Sequence, residues 1–251
     1  MRDKLELKAT QAYASYLFNT TARWNLALAI ITPFLVIFFY SFTYFPSLSE
    51  FLRMLLALTG IIYYLFSIIA VYYFTLDVSR GTSTVFLSQP LTRRGYVVAW
   101  MLTSVAAPAL SYALSFLVPF LILDASMLAY SDPQSYVLLF LEGFTISMMI
   151  FNTALLTRSP GLVVTLGVSL HILLPSILSA LYVFLTVSQN QATSISADAV
   201  LLLFSFLYPF RSKLGMMVSY IEAGAYLNAV TASVLVIAAL TYARRRLEVT
   251  A

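Results

Sequence analysis

The chain has 251 residues, 61% hydrophobic and 10% charged, with no cysteine, one histidine and a formal net charge of +4. Soluble domains carry roughly 25% charged and 45–50% apolar residues. This composition, with a mean hydropathy of +0.90, excludes an ordinary water-soluble enzyme and points to an all-α integral membrane protein. The absence of cysteine excludes disulfides and thiolate sites, and a single histidine leaves no metal cluster.

In chain order, Leu5, Ala9, Ala12, Tyr13, Tyr16 and Leu17 recur at helical spacing, while Lys4, Lys8, Gln11 and Ser15 fall elsewhere on the wheel. The spacing predicts an amphipathic helix over 1–21 lying along the cytoplasmic membrane surface. Asn19-Thr20-Thr21 is expected to break it and cap the first span. The apolar run starting at Trp24 is too long for a signal-peptide core and is expected to remain as a span.

A hydrocarbon core of about 30 Å needs about 20 apolar helical residues. Six stretches meet this: about 24–45, 52–75, 97–123, 136–157, 161–187 and 224–243. They form a single transmembrane domain. Pro33, Pro108, Pro119 and Pro175 remove backbone donors and should kink their helices. Ala199–Phe210 is apolar but too short to cross, and Arg211 and Lys213 follow at once. Residues 198–221 therefore read as an external re-entrant or interfacial hairpin turning near Pro209, because a seventh span would bury both charges.

Six spans put both termini on one side. Arg2, Lys4, Lys8, Arg23, Arg80, Arg93, Arg94, Arg158 and Arg244–Arg246 then fall together, eleven of the 14 Lys and Arg residues. Arg53, Arg211 and Lys213 lie opposite. The positive-inside rule places both termini in the cytoplasm, in the cell membrane of the source.

The polar island at 77–94 is the most patterned connection. Gly81–Ser88 can form two helical turns, Gln89 before Pro90 should end them, and Thr92 can cap the next span. Taken alone, the island is either a basic turn that fixes topology or a docking surface. It resembles the loop of the type-2 ABC exporter permeases, which has an acidic residue, Arg-Glu-Arg-Gly-Thr, a few residues ending in Leu, then Pro-Leu-Ser-Arg. Asp77, Arg80, Gly81, Thr82, Leu87, Pro90, Leu91, Thr92 and Arg93 match in register. Tyr208-Pro209-Phe210 is similar to the family's Asn-Pro element before the last span. Ser79 and Thr84 depart from it where Glu is usual, and Trp100 stands near a common Lys.

The resemblance implies a permease that dimerises with itself or a similar chain. Its coupling helix at 77–94 would dock on separate cytoplasmic ABC ATPase subunits, with Arg80, Arg93 and Arg94 supplying charge and Gly81 allowing close approach. The second cytoplasmic turn, with Arg158, Pro160 and Gly161, would share the contact. Membrane lipid is the other expected partner, and nucleic acid is not. Lys4, Lys8 and Lys213 are the only lysines and none sits in a Gly-x-x-x-x-Gly-Lys-Ser/Thr loop, so this chain is not the ATPase. ATP and Mg belong to the partner, and no catalytic residue, cofactor or metal is expected here.

Two intramembrane ionisable residues remain. His171 in the fifth span reads as a packed histidine bonded to a carbonyl or, with Pro175 one turn on, as part of a translocation path. Glu142 reads as a bundle-facing carboxylate without a matching intramembrane cation, or as a substrate or cation ligand. Tyr63, Tyr64, Tyr72 and Tyr73 read mainly as lipid-facing, packing or belt residues. An ATP-independent secondary transporter would want ionisable pairs or broken helices at mid-depth, and a membrane-embedded assembly protein is the other alternative.

Overall fold

The computed structural model describes residues 2–23, 26–27, 31, 34, 48–81, 91–123, 133–187, 191–214 and 220–246. All secondary structure among them is helical, with no strand. In lipid this is the physical expectation, because backbone groups must be satisfied within each segment. The helices are α1 (Arg2–Leu17), α2 (Leu48–Ser79), α3 (residues 93–123), α4 (Pro133–Thr157), α5 (residues 160–187), α6 (Gln191–Leu207), α7 (Pro209–Leu214) and α8 (Ile221–Arg246).

Five of these contain stretches long and apolar enough to cross a membrane: Gly60–Ser79, Arg93–Ser115, Pro133–Thr157, Pro160–Val187 and Ile221–Arg244. They correspond to five of the six expected spans. The span expected at 24–45 lies largely outside the described residues.

Helix α4 is the hub. It packs against α2, α3, α5, α7 and α8, and 67% of its apolar window is buried, against 28% for α5 and 22% for α8. Phe151 stacks on Phe74 of α2 with ring centroids 4.5 Å apart, and Ile146, Ile150 and Ala154 are buried beside it. The outer helices instead expose Ile177, Val183 and Phe184 of α5 and Val230, Val234 and Ile237 of α8, as suits surfaces that face hydrocarbon.

Helix pairs without a hydrophobic driving force between them rely on close packing and hydrogen bonds. Thr145 of α4 donates to Asn228 Oδ1 of α8 at 2.6 Å, and Asn228 Nδ2 donates on to the Phe206 carbonyl of α6 at 2.8 Å. Asn152 Nδ2 reaches the Leu235 carbonyl at 3.2 Å. On the other side, Ser147 of α4 meets Ser67 and Tyr63 of α2 at 2.7 and 3.0 Å. At Gly224 a Cβ would lie 2.4 Å from the Ser205 carbonyl oxygen, so α8 and α6 touch backbone to backbone there.

Two spans are broken by π-turns just before a proline. In α3, Leu102–Ala106 is a π-turn followed by Ala107 and Pro108; in α5, Ser169–Leu173 is one followed by Leu174 and Pro175. These are the irregularities the prolines at 108 and 175 foreshadowed. Pro33 lies outside the described residues, and the Pro119 side chain is not described.

The N-terminal helix departs from expectation in two ways. Asn19, Thr20 and Thr21 do not break it. They fold their side chains back onto the carbonyls of Ser15, Tyr16 and Leu17, and the helix continues through a π-turn, Phe18–Ala22. Back-bonding of this kind lets short polar residues stay helical. The buried stripe is also rotated from the predicted one: Leu5, Ala12 and Tyr16 are exposed, while Glu6, Ala9, Thr10, Tyr13, Ala14 and Leu17 turn inward. α1 covers the start of α3, so protein contacts choose its face.

Candidate functional site

The flanks of the 77–94 island are held by α1. α2 ends at Gly81, whose φ of +72° is a left-handed conformation that glycine adopts without a Cβ penalty. Arg80 N–H bonds to the Leu76 carbonyl at 2.9 Å, and Gly81 N–H reaches the Val78 carbonyl at 3.4 Å. A Cβ on Gly81 would meet nothing within 4 Å among the described residues. The need for glycine is therefore conformational.

Across the island, Thr92 caps α3 as expected, its hydroxyl oxygen accepting from Gly95 N–H at 3.0 Å. The same hydroxyl donates to Glu6 Oε1 of α1 at 2.5 Å. Gly95 lets α1 come this near, since a Cβ there would lie 2.4 Å from Thr10 Oγ1. On the other flank Asp77 Oδ2 accepts from Tyr96 at 2.5 Å and from Tyr13 of α1 at 3.4 Å. Tyr13 stacks on Tyr96 with centroids 5.6 Å apart. Burial first, then the Asp77 charge, pushes the Tyr13 hydroxyl above the usual tyrosine range.

Arg80, Arg93 and Arg94 are exposed. Thr82, Leu87 and Pro90, and with them the expected two-turn helix, lie outside the described residues. At the second turn, Arg158 takes a φ of +52°, Ser159 caps α5 by accepting from Leu162 N–H at 3.5 Å, and Pro160 occupies the first turn. Gly161 is exposed and a Cβ there would touch nothing among the described residues.

The second site is buried among α2, α4, α5 and α7. Pro175 has no N–H, so the His171 carbonyl loses its ordinary helical donor. The π-turn sends Leu174 N–H to Ser169, which leaves the Leu170 carbonyl without its donor as well. Both vacancies are filled from the break between α6 and α7. The Tyr208 hydroxyl donates to the Leu170 carbonyl, and Arg211 Nη1 donates to the His171 carbonyl at 3.4 Å.

Arg211 also supplies the cation that Glu142 was expected to lack. Its Nε lies 3.0 Å from Glu142 Oε1, with the two side chains 21% and 2% exposed. Glu142 Oε2 accepts from the backbone N–H groups of Phe210 and Arg211 at 3.1 and 3.2 Å, capping α7 from a neighbouring helix. The guanidinium lies 5.1 Å from the Tyr64 ring centroid and 5.0 Å from that of Tyr208, within cation–π range. Arg211 is thus drawn into the bundle and is not an aqueous external charge.

His171 is buried against Tyr64, stacked at 4.3 Å, and Tyr63, edge-on at 5.4 Å. Neither ring nitrogen has a hydrogen-bond partner among the described residues. The expected bond from the ring to a carbonyl is not made; the backbone carbonyl is the group engaged. Tyr63 is buried too, donating to the Gly143 carbonyl at 2.6 Å and stacked on Tyr112 at 4.5 Å. Tyr63 and Tyr64 therefore line a polar core and do not face lipid, whereas Tyr73 is 48% exposed.

No protein-family model, curated protein or solved structure matches this chain. The fold brings Glu142, His171 and Pro175 together through Arg211, Tyr64 and Tyr208, and ties Asp77 to α1. It holds Arg158, Pro160 and Gly161 in a separate turn. Arg211 was the residue that sequence reasoning missed. The signal lay in Tyr208-Pro209-Phe210-Arg211: a proline at a helix start leaves free N–H groups just after it, and these need an acceptor.

Proposed function

We propose that the chain is the transmembrane permease subunit of an ATP-driven ABC exporter, with both termini cytoplasmic, working as a dimer above separate ATPase subunits. The observation that carries this reading is the attachment of α1 to both flanks of the 77–94 island, through Glu6–Thr92 and Tyr13–Asp77. A push on the island would move α2, α3 and α1 together, which is what a coupling segment requires. Arg80, Arg93 and Arg94, exposed beside it, offer charge to a partner. In this reading residues 198–221 are the external hairpin and 24–45 the remaining span, while ATP hydrolysis with its Mg belongs wholly to the partner chain.

The test is co-purification with an ATPase encoded beside this gene, followed by Arg80→Glu and Gly81→Trp. The expected result is loss of complex and of transport-coupled ATP turnover. Normal assembly and turnover in both variants would refute the coupling role.

One observation favours a second reading, an ATP-independent secondary transporter. The Glu142–Arg211 pair lies beside a proline-broken span, as such transporters use near mid-membrane. Transport in sealed vesicles driven by an ion gradient, without an ATPase chain, would support it; strict dependence on ATP would exclude it.

A further inference from the structure

An open groove of about 330 Å³ runs between α1 and the ends of α2 and α3. It lies where the apolar span Gly60–Ser79 gives way to Asp77 and Arg80. Tyr and Trp concentrate at this depth in membrane proteins because one end of the ring is apolar and the other polar. The groove's lining includes Tyr13, Tyr16, Tyr73, Asp77, Arg80 and Trp100.

Two kinds of recognition meet there. The Asp77 carboxylate and the tyrosine rings together suit a small cation, since aromatic faces and a nearby carboxylate are the usual means of holding an ammonium. The exposed Arg80 guanidinium suits an anionic oxygen. The Trp100 ring walls the groove from within: it is 3% exposed, with its indole N–H buried close to the Tyr13 and Tyr96 hydroxyls. The volume sits at the small end of the range for ligand pockets, about 300–1,000 Å³.

We infer that this groove binds an ammonium–phosphate zwitterion, and that its source is the headgroup of a membrane phospholipid. The ammonium lies toward Asp77 and the tyrosine rings, and the phosphate toward the exposed Arg80. The position favours a lipid over a solute, because the groove opens at the polar end of an apolar span. Lipid seated there touches α1, α2 and α3 at once, so it steadies the contact that holds α1. The inference does not depend on the exporter reading.

The experiment measures lipid retention by the full chain in detergent, by native mass spectrometry titrated with phosphatidylethanolamine or phosphatidylglycerol. Both lipids carry the phosphate and only the first carries the ammonium. Tighter binding of phosphatidylethanolamine is expected, and Tyr73→Ala should weaken it by about threefold to 30-fold. Tyr73 is half exposed, so its replacement leaves the core intact. Asp77→Asn should bring the two lipids to similar affinity, whereas Tyr226→Ala, outside the groove, should change nothing. Equal binding of the two lipids to the unaltered chain, or an unchanged preference in both Tyr73→Ala and Asp77→Asn, overturns the site. Displacement of the lipid by soluble phosphoethanolamine at matched concentration overturns the lipid source.

Discussion

Breaking the Glu142–Arg211 pair is the sharpest test of the buried site. Glu142→Gln keeps an oxygen that can still accept from Phe210 and Arg211 N–H, but removes the negative charge 3.0 Å from Arg211 Nε. Arg211→Met keeps much of the side-chain volume and leaves Glu142, 2% exposed, as an unpaired buried carboxylate. Loss of one partner of a buried pair costs about 3–5 kcal/mol. At about 2–4 °C per kcal/mol for a chain of this size, each single variant should lower the apparent Tm by roughly 6–20 °C. The double variant leaves no orphan charge, so it should recover part of that loss, with a coupling of about 0.5–3 kcal/mol expected for residues in contact. Differential scanning fluorimetry of the purified chain reads all four proteins. Single variants within 2 °C of the parent, or losses that simply add, would falsify the claim that this pair anchors α7 to α4.

The remaining predictions probe neighbouring contacts. His171→Phe removes two ring nitrogens that have no partners among the described residues and keeps the stack on Tyr64. Tm should hold or rise, because orphan polar atoms cost about 1–3 kcal/mol each, so lost transport at unchanged Tm would assign His171 to the path. Thr92→Ala deletes both the cap of α3 and the contact to Glu6. It should cost about 1 kcal/mol and speed proteolytic release of α1, with Thr92→Ser largely restoring the parent. Gly224→Ala drives a methyl to 2.4 Å from the Ser205 carbonyl oxygen; neither backbone can yield easily, so a loss of about 1–3 kcal/mol is expected. Arg158→Gly relieves a φ of +52° whose cost, about 1–2 kcal/mol, is partly offset by glycine's greater freedom in the unfolded chain. A Tm gain of a few degrees is expected, and a fall would show that the arginine side chain holds the turn.

Several features were legible because they depend on short-range chemistry. Apolar run length predicted three of the five described candidate spans to within three residues and overlapped the other two, 52–75 against Gly60–Ser79 and 97–123 against Arg93–Ser115, since lipid leaves the backbone little alternative to a helix. The Thr92 cap and the disturbance before Pro108 and Pro175 follow from local donors and acceptors. The face of α1 was misread because its stripe, inferred as a membrane-facing one, is set by the start of α3, where Glu6 accepts from Thr92 and Thr10 packs on Gly95. Asn19-Thr20-Thr21 was misread because back-bonding to carbonyls competes with capping, and context decides between them.

The sequence by itself determined a helical membrane protein with its basic residues gathered beyond the ends of the apolar runs, because composition and run length set the solvent for each segment. Tertiary structure alone decided that Glu142, 69 positions before Arg211, would meet it. No periodicity reports such a pairing. It arises because the start at Pro209 releases the Phe210 and Arg211 N–H groups to Glu142, while Pro175 and the π-turn release two carbonyls that take the Tyr208 hydroxyl and the Arg211 guanidinium.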